Sequence, residues 1–520
     1  MQKLKYALAP SLGLLIALPI FALFIYFIAQ DEFSVANFRV PELLLYVKNT
    51  LFVLLGAAFL VLLLGISTAF MSARFEYTGS PFFSLAFVLP LAFPAYIIGY
   101  TYVGFFEFHG ILSTLLGVPK FKLDILNIYG VIAILSFAMF PYVYILARVS
   151  FASISSTVVE LVSLKQLSPL KAFWSVYLPL AYPAIFAGLV LSLMEVLSDY
   201  GTVTYFGVDT FSVGIFKSWF GYGNLKEAIN LSMMLLVVVF VLMFGEARLR
   251  AKFRFISSTH SAKKAAKIKL KGWRNVVIFM LSLLIATVTL FIPLGVLLYW
   301  FYLDYHTLEW ETLGYLYRTL SLNGISSLFI ITLAFMMVYA SRFYPSRWGV
   351  LSQKLSMLGY SIPGAIVGIG ILLLTNFIDQ SLGKVVLGGS FVALVFAYLT
   401  RYFAASIGSV ENGFSKIDKS IDDATKVFGT DEFERIFRVY LPLMRPYLLS
   451  GFLILYIDLA KELPATLLLR PFNYDTIAIR IYELASNEIL YKSAFPSLLL
   501  VGTTAIAVLL LNSKFVRGRR

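Results

Sequence analysis

Two pairs of carboxylates stand inside long apolar stretches of this chain. Glu195 and Asp199 lie four residues apart in one stretch, and Asp458 and Glu462 have the same spacing in another. On a continuous helix this spacing puts both members of a pair on one face. Charged groups inside a bilayer are costly and ordinarily face a protein interior or a wet cavity. Because carboxylate oxygens suit hard cations, the four acids are candidate residues of a cation translocation pathway.

The same acids also have a structural interpretation, which the sequence leaves open. Lys461 follows Asp458 by three residues and is placed to form an ion pair with it. Glu462 stands two residues before Pro464 and is placed to cap backbone groups that the proline frees. A pathway needs weak, exchangeable contacts, whereas a structural role needs permanent ones.

The composition indicates an all-α polytopic membrane protein. The 520 residues are 60% hydrophobic and only 13% charged, and many apolar runs reach the roughly 20 residues that cross a bilayer. The runs are continuous rather than alternating, which argues against an outer-membrane barrel. The chain has no cysteine and its three histidines are scattered, so no catalytic residue and no metal site is assigned.

Apolar runs between breakers predict about twelve transmembrane helices in two sets of six. The first set lies near Tyr6–Ala29, Thr50–Met71, Phe82–Phe105, Ile128–Ala147, Pro183–Phe206 and Ile229–Phe244. The second set lies near Val276–Phe301, Leu320–Ala340, Leu355–Asn376, Val385–Ile407, Pro446–Leu469 and Phe495–Leu511. The first run has no small-x-small cleavage site after it and is predicted to be a retained span.

The distribution of charge predicts the orientation and a division of the chain. Most of the 42 Lys and Arg fall on one side if the N-terminus, with Lys3 and Lys5, is cytoplasmic, and twelve spans return the C-terminus to that side. Residues 248–274 carry ten basic residues and no acid. This stretch is predicted to be a cytoplasmic linker that touches anionic headgroups rather than nucleic acid. It separates a first repeat, 1–247, from a second, 275–520.

The two halves share an internal repeat. The sequence VYLPL occurs in both, and one constant register places Pro179, Pro183 and Gly188 opposite Pro442, Pro446 and Gly451. The same register sets Glu195 opposite Asp458 and Asp199 opposite Glu462. Two six-span halves of equal orientation imply parallel repeats about an axis along the membrane normal, with a pathway at their interface.

A polar segment joins the fourth and fifth spans, and another joins the tenth and eleventh; each has about thirty residues where a simple reversal needs only a few. The second segment contains Asp423, Ala424, Gly429 and Pro442. It resembles the Glu-Ala-Ala, three residues, Gly and later Pro motif of permease subunits of binding-protein-dependent ABC importers. Asp423 stands for the glutamate of that motif.

The first copy of the motif is degenerate. Glu160 and Pro179 are present, but Leu161 and Val162 replace the alanines and Gln166 replaces the glycine. This puts the detailed turn of the first copy in question. We name residues 160–179 and 423–442 the first and second coupling segments.

Within this family, the stretches LMEVLSDYGTVTYFGVDTFSVGIF and KELPATLLLRPFNYDT resemble the fused, two-repeat ferric-iron permeases, and the resemblance covers essentially the whole chain. It implies a type I ABC importer-like fold in the inner membrane and coupling segments that dock on two copies of an ATPase subunit. It also implies an extracytoplasmic substrate-binding protein outside. No Gly-x4-Gly-Lys-Ser/Thr loop occurs, so ATP is expected to be used by the partner, with no cofactor bound by this chain.

Several alternatives stay open at this point. Permeases for thiamine, phosphonates and polyamines share the broader pattern. An ion-coupled secondary transporter is also often built from repeated halves with buried acids, but it has no use for paired docking segments. A membrane-embedded enzyme would need a constellation of nucleophile or histidine residues, which the sequence does not offer.

Overall fold

The computed structural model describes residues 2–29, 40–107, 110–115, 117–118, 123–253, 265–307, 309–357, 359 and 362–512. The chain is almost entirely helical within these ranges and forms two compact units. The 34–308 unit also includes residues 484–498, and the 309–483 unit also includes 1–33 and 499–520. Residues 254–264 of the basic linker and the basic C-terminal residues 514–520 lie outside the described ranges.

The 34–308 unit contains thirteen helices and one pair of short strands. Its helices are α2 Val40–Arg74, α3 Ser80–Ala86, α4 Ala95–Phe106, α5 Ile111–Leu115, α6 Ile128–Ala152, α7 Ser156–Leu164, α8 Pro169–Ala172, α9 Leu178–Ser198, α10 Gly201–Tyr205, α11 Phe211–Phe216, α12 Leu225–Phe253, α13 Trp273–Ala286 and α14 Ile292–Asp304. A 3-10 turn covers Leu89–Ala92, and π turns cover Phe173–Tyr177, Lys217–Gly221 and Thr287–Phe291. Its strands are β1 Phe75–Glu76 and β2 Ile268–Lys269.

The 309–483 unit repeats much of this order. Its helices are α1 Gln2–Ala29, α15 Thr312–Phe343, α16 Arg347–Ser356, α17 Gly364–Leu382, α18 Phe391–Phe414, α19 Lys419–Val427, α20 Glu432–Glu434, α21 Leu441–Ala460, α22 Pro464–Leu469 and α23 Ile477–Ser486. A π turn covers Arg435–Tyr440. The last helix, α24 Leu490–Asn512, begins in the 34–308 unit and ends in this one. A 3-10 turn at Tyr305–Thr307 belongs to the 34–308 unit.

The prediction of an all-α membrane protein with about twelve spans is confirmed. Eleven helices of the described chain are long and apolar enough to cross a membrane, or twelve if one bent pair counts as a span. That pair is the predicted third span, Phe82–Phe105, and it is bent by 100° rather than continuous. Pro90 and Pro94 lack amide protons, and Pro94 has extended backbone, so the helix ends before it and α4 starts after it.

The predicted tenth span, Val385–Ile407, begins later than expected. Helix α18 starts at Phe391, where Ser390 caps the amide of Ala393 at 3.2 Å. The residues before it are held as a loop because Asp379 accepts hydrogen bonds from the amides of 386, 387 and 388. A carboxylate that accepts hydrogen bonds from these amides stabilises the loop against the helix that the apolar sequence favours.

The compact units do not coincide with the sequence repeats at their first helices. Helix α1 packs within the 309–483 unit, where Ser352 donates to the carbonyl of Ala9 at 3.1 Å and Thr400 donates to that of Ile16 at 3.2 Å. Helices α13 and α14 pack within the 34–308 unit, with Ser282 donating to Tyr77 at 2.9 Å. The first helix of the first sequence repeat therefore packs in the 309–483 unit, and the first helices of the second repeat pack in the 34–308 unit.

The end of the basic linker is ordered against α2. Strand β2 pairs in parallel with β1, with Ile268 opposite Phe75, and the amide of Leu270 donates to the carbonyl of Glu76 at 3.0 Å. Lys267 donates to the carbonyl of Ser72 at 2.8 Å. Residues 267–270 of the linker are therefore hydrogen-bonded to the segment that ends α2 and forms β1.

Candidate functional site

The first pair of acids lies at a break in the helix. Helix α9 ends at Ser198, and Asp199 has extended backbone with φ −66° and ψ 130°. Its carboxylate accepts hydrogen bonds from the amide of Thr202 at 2.9 Å, the hydroxyl of Thr202 at 3.0 Å and the amide of Val203 at 3.1 Å. Asp199 therefore caps the short helix α10 that follows the break.

The second pair lies at a matching break. Helix α21 ends at Ala460, and the amide of Ala465 in α22 donates to Glu462 Oε1 at 2.9 Å. Glu462 also accepts hydrogen bonds from the guanidinium of Arg401 and the hydroxyl of Tyr402 on α18. The acid thus caps α22 and forms a buried ion pair, whose side chains are only 4% and 2% exposed.

The two remaining acids differ in their surroundings. Asp458 is buried on α21 and lies 3.6 Å from Lys461, which is the ion pair that the structural interpretation predicted. Glu195 is partly buried on α9. The prediction that each pair shares one helical face is wrong, because both helices stop between the two acids so that the second acid can cap the next helix.

The two repeats therefore treat equivalent acids differently. In the 309–483 unit, two cations, Arg401 and Lys461, stand beside Asp458 and Glu462. In the register of the repeat, Ala138 and Ser198 occupy the positions of those cations. Every hydrogen bond that the structure gives Asp199 comes from an uncharged donor. Glu462 thus pairs with a buried arginine, whereas the sequence register gives Asp199 no cation at that position.

Gly364 explains how the buried ion pair fits. A Cβ at this position would lie 2.4 Å from Arg401 Nη1 and 2.5 Å from Glu462 Oε1. The absence of a side chain lets the start of α17 pack directly against the pair.

The two coupling segments have the same local architecture. Helix α7 is capped by Ser155 and carries Glu160, and α19 carries Asp423 and Ala424. All three of these motif residues are exposed. In both segments a short capped turn and a π turn then lead to Pro179 or Pro442, which stands in the first turn of the next long helix.

The turn that ends each short helix is also the same, although the sequence differs. Gln166 has φ 48° and Gly429 has φ 62°. The amide of Leu167 donates to the carbonyl of Val162 at 3.3 Å, and the equivalent amide of Thr430 donates to that of Thr425 at 3.3 Å. Both helices thus close with a left-handed residue. Gln166 adopts the conformation that the motif glycine supplies, so the degenerate first copy keeps its turn.

Both coupling segments present apolar side chains to the outside. Leu164 at the end of α7 is 79% exposed, and Val427, its counterpart in the repeat, is 83% exposed. No residue of α7 is buried.

An arginine at the end of α15 anchors the second segment. Arg342 donates to Asp422 Oδ2 at 2.8 Å and to the carbonyls of Phe414 at 2.6 Å and Ile417 at 3.1 Å. Tyr440 donates to the other oxygen of Asp422 at 2.5 Å. The network ties α19 to the ends of α15 and α18.

Arg74 lies at the end of α2 as Arg342 lies at the end of α15, and it has no such network in the described chain. Arg74 is 2% exposed, lies 5.3 Å from the ring centre of Tyr177, and its Nη2 has no hydrogen-bond partner in the described chain. Val159 stands where the second copy has Asp422. The carbonyl of Ile154, counterpart of Ile417, instead accepts from the linker amide of Ala265 at 3.1 Å.

This difference predicts unequal effects of matched substitutions. Arg342→Met removes a mostly buried charged contact, which costs about 1.5–3 kcal/mol, so amide hydrogen exchange in α19 is expected to speed up roughly tenfold to a hundredfold. Arg74→Met removes no hydrogen bond, so exchange in α7 is expected to stay near its wild-type rate. Mass spectrometry on the purified chain measures both; equal acceleration of the two helices would contradict the assignment.

Sequence reasoning missed the cations of this site. Arg401 is a lone arginine inside the tenth predicted span, and Arg74 and Arg342 end the second and eighth spans in the similar strings ARF and SRF. An isolated charge in an apolar run and a repeated charge at a helix end were the available signals.

Comparison with known proteins agrees with this geometry. A model of the family described as binding-protein-dependent transport system inner membrane component matches residues 61–249 and again 330–516, together more than half of the chain. Each matched range contains one coupling segment and one pair of acids. The predicted internal repeat is thereby confirmed.

Three relatives illustrate the range of similarity. The chain is 24% identical to the Fe(3+)-transport system permease protein FbpB 2 of Haemophilus influenzae over 96% of each protein. It is 27% identical to a putative 2-aminoethylphosphonate transport system permease protein PhnV of Salmonella typhimurium, over 42% of this chain and 80% of that protein. It is 23% identical to the molybdate/tungstate transport system permease protein WtpB of Thermococcus kodakarensis, over 38% of this chain and 74% of that protein. The chain is a multi-pass permease that belongs to the family of inner membrane components of binding-protein-dependent transport systems.

Proposed function

We propose that this permease imports ferric iron. The observation that carries the proposal is similarity over 96% of both chains to a permease named for Fe(3+) transport. The similarity to the phosphonate and molybdate permeases extends over only 42% and 38% of this chain. The acids at both helix breaks supply the oxygen chemistry that a hard cation prefers.

A phosphonate or molybdate cargo is less compatible with the 34–308 unit. Both ligands are anions, and Asp199 stands at the break of α9 with no cation among its hydrogen-bond partners in the described chain. Like charges disfavour one another strongly where water is scarce. Thiamine and polyamines are cations and stay compatible with this argument, so the cargo has to be tested directly.

The motor of the importer is a separate ATPase. Two copies of that subunit dock on the two coupling segments and use ATP, and this chain binds no cofactor and performs no covalent chemistry. Both termini and the linker face the cytoplasm, and a substrate-binding protein delivers the cargo from the other side. Supporting this arrangement are the family match, the exposed Leu164 and Val427, and the excess of basic residues in the linker.

Uptake by the assembled importer tests the cargo. Proteoliposomes that contain this chain, its ATPase and its binding protein are loaded with ATP and offered radioactive ferric iron, thiamine, spermidine or 2-aminoethylphosphonate. The proposal expects accumulation of iron alone. Accumulation of one of the other compounds, with none of iron, would replace iron as the cargo.

Substitution of the repeated caps tests whether the acids form the pathway. Asp199→Asn together with Glu462→Gln keeps side chains that accept hydrogen bonds but removes two negative charges. Because Glu462→Gln also leaves Arg401 buried without its anion, uptake is compared with that of Asp199→Asn alone and the thermal unfolding of each variant is measured. If the acids attract the cation, iron uptake is expected to fall by about tenfold or more, because each lost interaction of 1.4 kcal/mol is worth a factor of ten. Unchanged uptake by the correctly folded variant would leave the acids with a capping role only.

A further inference from the structure

The 34–308 unit contains a cavity of about 480 Å³ that the repeated acids do not line. Its walls come from the end of α4, the loop before α6, the end of α10, α14 and the start of α24. Helix α6 begins at Ile128 beside the cavity and ends at Ala152 next to α7. The cavity therefore lies at the end of the bundle opposite the first coupling segment.

Three carboxylates line this cavity, namely those of Glu107, Asp124 and Glu488. All three residues are exposed, and none forms an ion pair within the described chain. The carboxylate of Asp124 accepts one hydrogen bond within the described chain, from the amide of Leu126 at 3.1 Å. Glu488 has a φ of 60°, a left-handed backbone conformation that glycine adopts more easily than a residue with a side chain.

Aromatic side chains form the rest of the polar wall. Trp300 is buried, stacks on Tyr100 with ring centres 6.5 Å apart and meets Tyr491 edge to face at 5.9 Å. Tyr205 and Tyr299 complete the lining. Rings fixed in this way offer both phenol oxygens and faces that attract cations.

The cavity is connected to the repeated helix break. Tyr205 is the last residue of α10, and Asp199 caps the first turn of that helix. The carboxylate at the break thereby fixes the position of a residue in the cavity wall.

In the 309–483 unit, the segment after α22, which corresponds to the segment after α10, has different charges. In the register that sets Pro179 opposite Pro442, Arg470 takes the position of Gly207, just after α22. Arg470 forms ion pairs with Asp475 and Glu483, and Arg480 pairs with Glu309 at 2.9 Å. The acids there are neutralised by arginines, whereas those of the cavity have no ion-pair partner among the residues that the structure describes.

The size of the cavity limits how a cation could be held. No group of three acidic or histidine side chains in the described chain converges closely enough to hold a metal ion. A volume of about 480 Å³ is in the range of pockets that hold whole small molecules. A bare ion would leave most of this space unused, whereas a cation surrounded by bound water or by organic groups would fill more of it.

We propose that this cavity is a binding site for a bulky cation, either a metal ion that keeps its bound water or an organic ammonium ion. The charges of Glu107, Asp124 and Glu488 and the aromatic wall would recognise it. The inference rests on the proposed cation import and adds a receiving site at the end opposite the coupling segment. Two sources share this chemistry, an aquated metal ion and an organic ammonium ion.

The test uses hexaamminecobalt(III), a trivalent cation that does not exchange its ligands. The full chain is placed in nanodiscs of uncharged phosphatidylcholine, and binding is measured by calorimetry without ATPase or binding protein. We expect one site, with affinity lowered by about tenfold or more in Glu107→Gln/Glu488→Gln, because each charge contact is worth of order 1 kcal/mol at a surface. Glu311→Gln, an exposed acid outside the cavity, is the control and should bind as wild type.

Each further outcome has a defined meaning. Displacement of the probe by magnesium identifies an aquated metal ion as the natural class, and displacement by tetramethylammonium identifies an organic cation. No binding to the wild-type chain, or equal binding to the double variant, would overturn the inference. Iron uptake is measured separately: uptake without probe binding refutes only this site, whereas probe binding without iron uptake refutes the proposed cargo.

Discussion

Replacing Arg401 by methionine should destabilise the 309–483 unit more than any other single change considered for this chain. The substitution leaves Glu462 buried beside Gly364 without its cation. Removing one partner of a buried ion pair costs about 3–5 kcal/mol, since the remaining charge stays desolvated. We expect a clearly lower midpoint of thermal unfolding for the purified chain in nanodiscs.

A second variant separates the ion pair from the capping role. Arg401→Met combined with Glu462→Met removes both charges and leaves two donors without their acceptor, the amide of Ala465 and the hydroxyl of Tyr402, at a cost of about 1 kcal/mol each. The double variant should therefore be more stable than the single one. Arg438→Met, which breaks an exposed pair with Glu434, is the matched control and should change little. Equal loss in the single and double variants would show that the charge of Glu462 is not the source of the instability.

Placing aspartate at the exposed apolar tips of both coupling segments should detach the ATPase. Leu164→Asp and Val427→Asp change repeat-related positions that are 79% and 83% exposed. A charge buried in a protein interface without a partner costs several kcal/mol, which corresponds to an affinity lower by roughly a hundredfold or more. The fold should tolerate both changes because neither side chain is packed inside the chain.

Co-purification with the ATPase measures this loss. The double variant should no longer retain the subunit, and each single variant should retain less than wild type. Val385→Asp, at an 81% exposed position in the loop before α18, is the control and should retain it fully. Retention by the double variant would place the docking surface elsewhere on the chain.

The breaks in α9 and α21 show what the sequence could predict. The constant register of VYLPL and the prolines places Asp199 opposite Glu462, and the structure puts both at equivalent helix ends. The register could not show that the helices stop there. The local competition between a continuing helix and a carboxylate that caps new amides depends on geometry that apolar periodicity does not report.

The charges that complete the site were less accessible from sequence. Arg401 pairs with a residue 61 positions away, so the pair exists only through the packing of α18 against α22. Gln166 departs from the motif glycine, yet it takes a left-handed conformation that closes α7 as Gly429 closes α19. A motif residue is the type most often found in a given backbone conformation, and the fold can hold another residue type in that conformation.

An ATP-driven importer takes up iron only with its separate ATPase, whereas an ion-coupled transporter needs no such subunit. Vesicles that contain this chain with its binding protein and ferric iron are compared with and without the ATPase subunit and ATP. Iron should accumulate only when the ATPase and ATP are both present, and not with the Leu164→Asp/Val427→Asp variant. Accumulation by the chain without the ATPase, driven by an ion gradient, would contradict it.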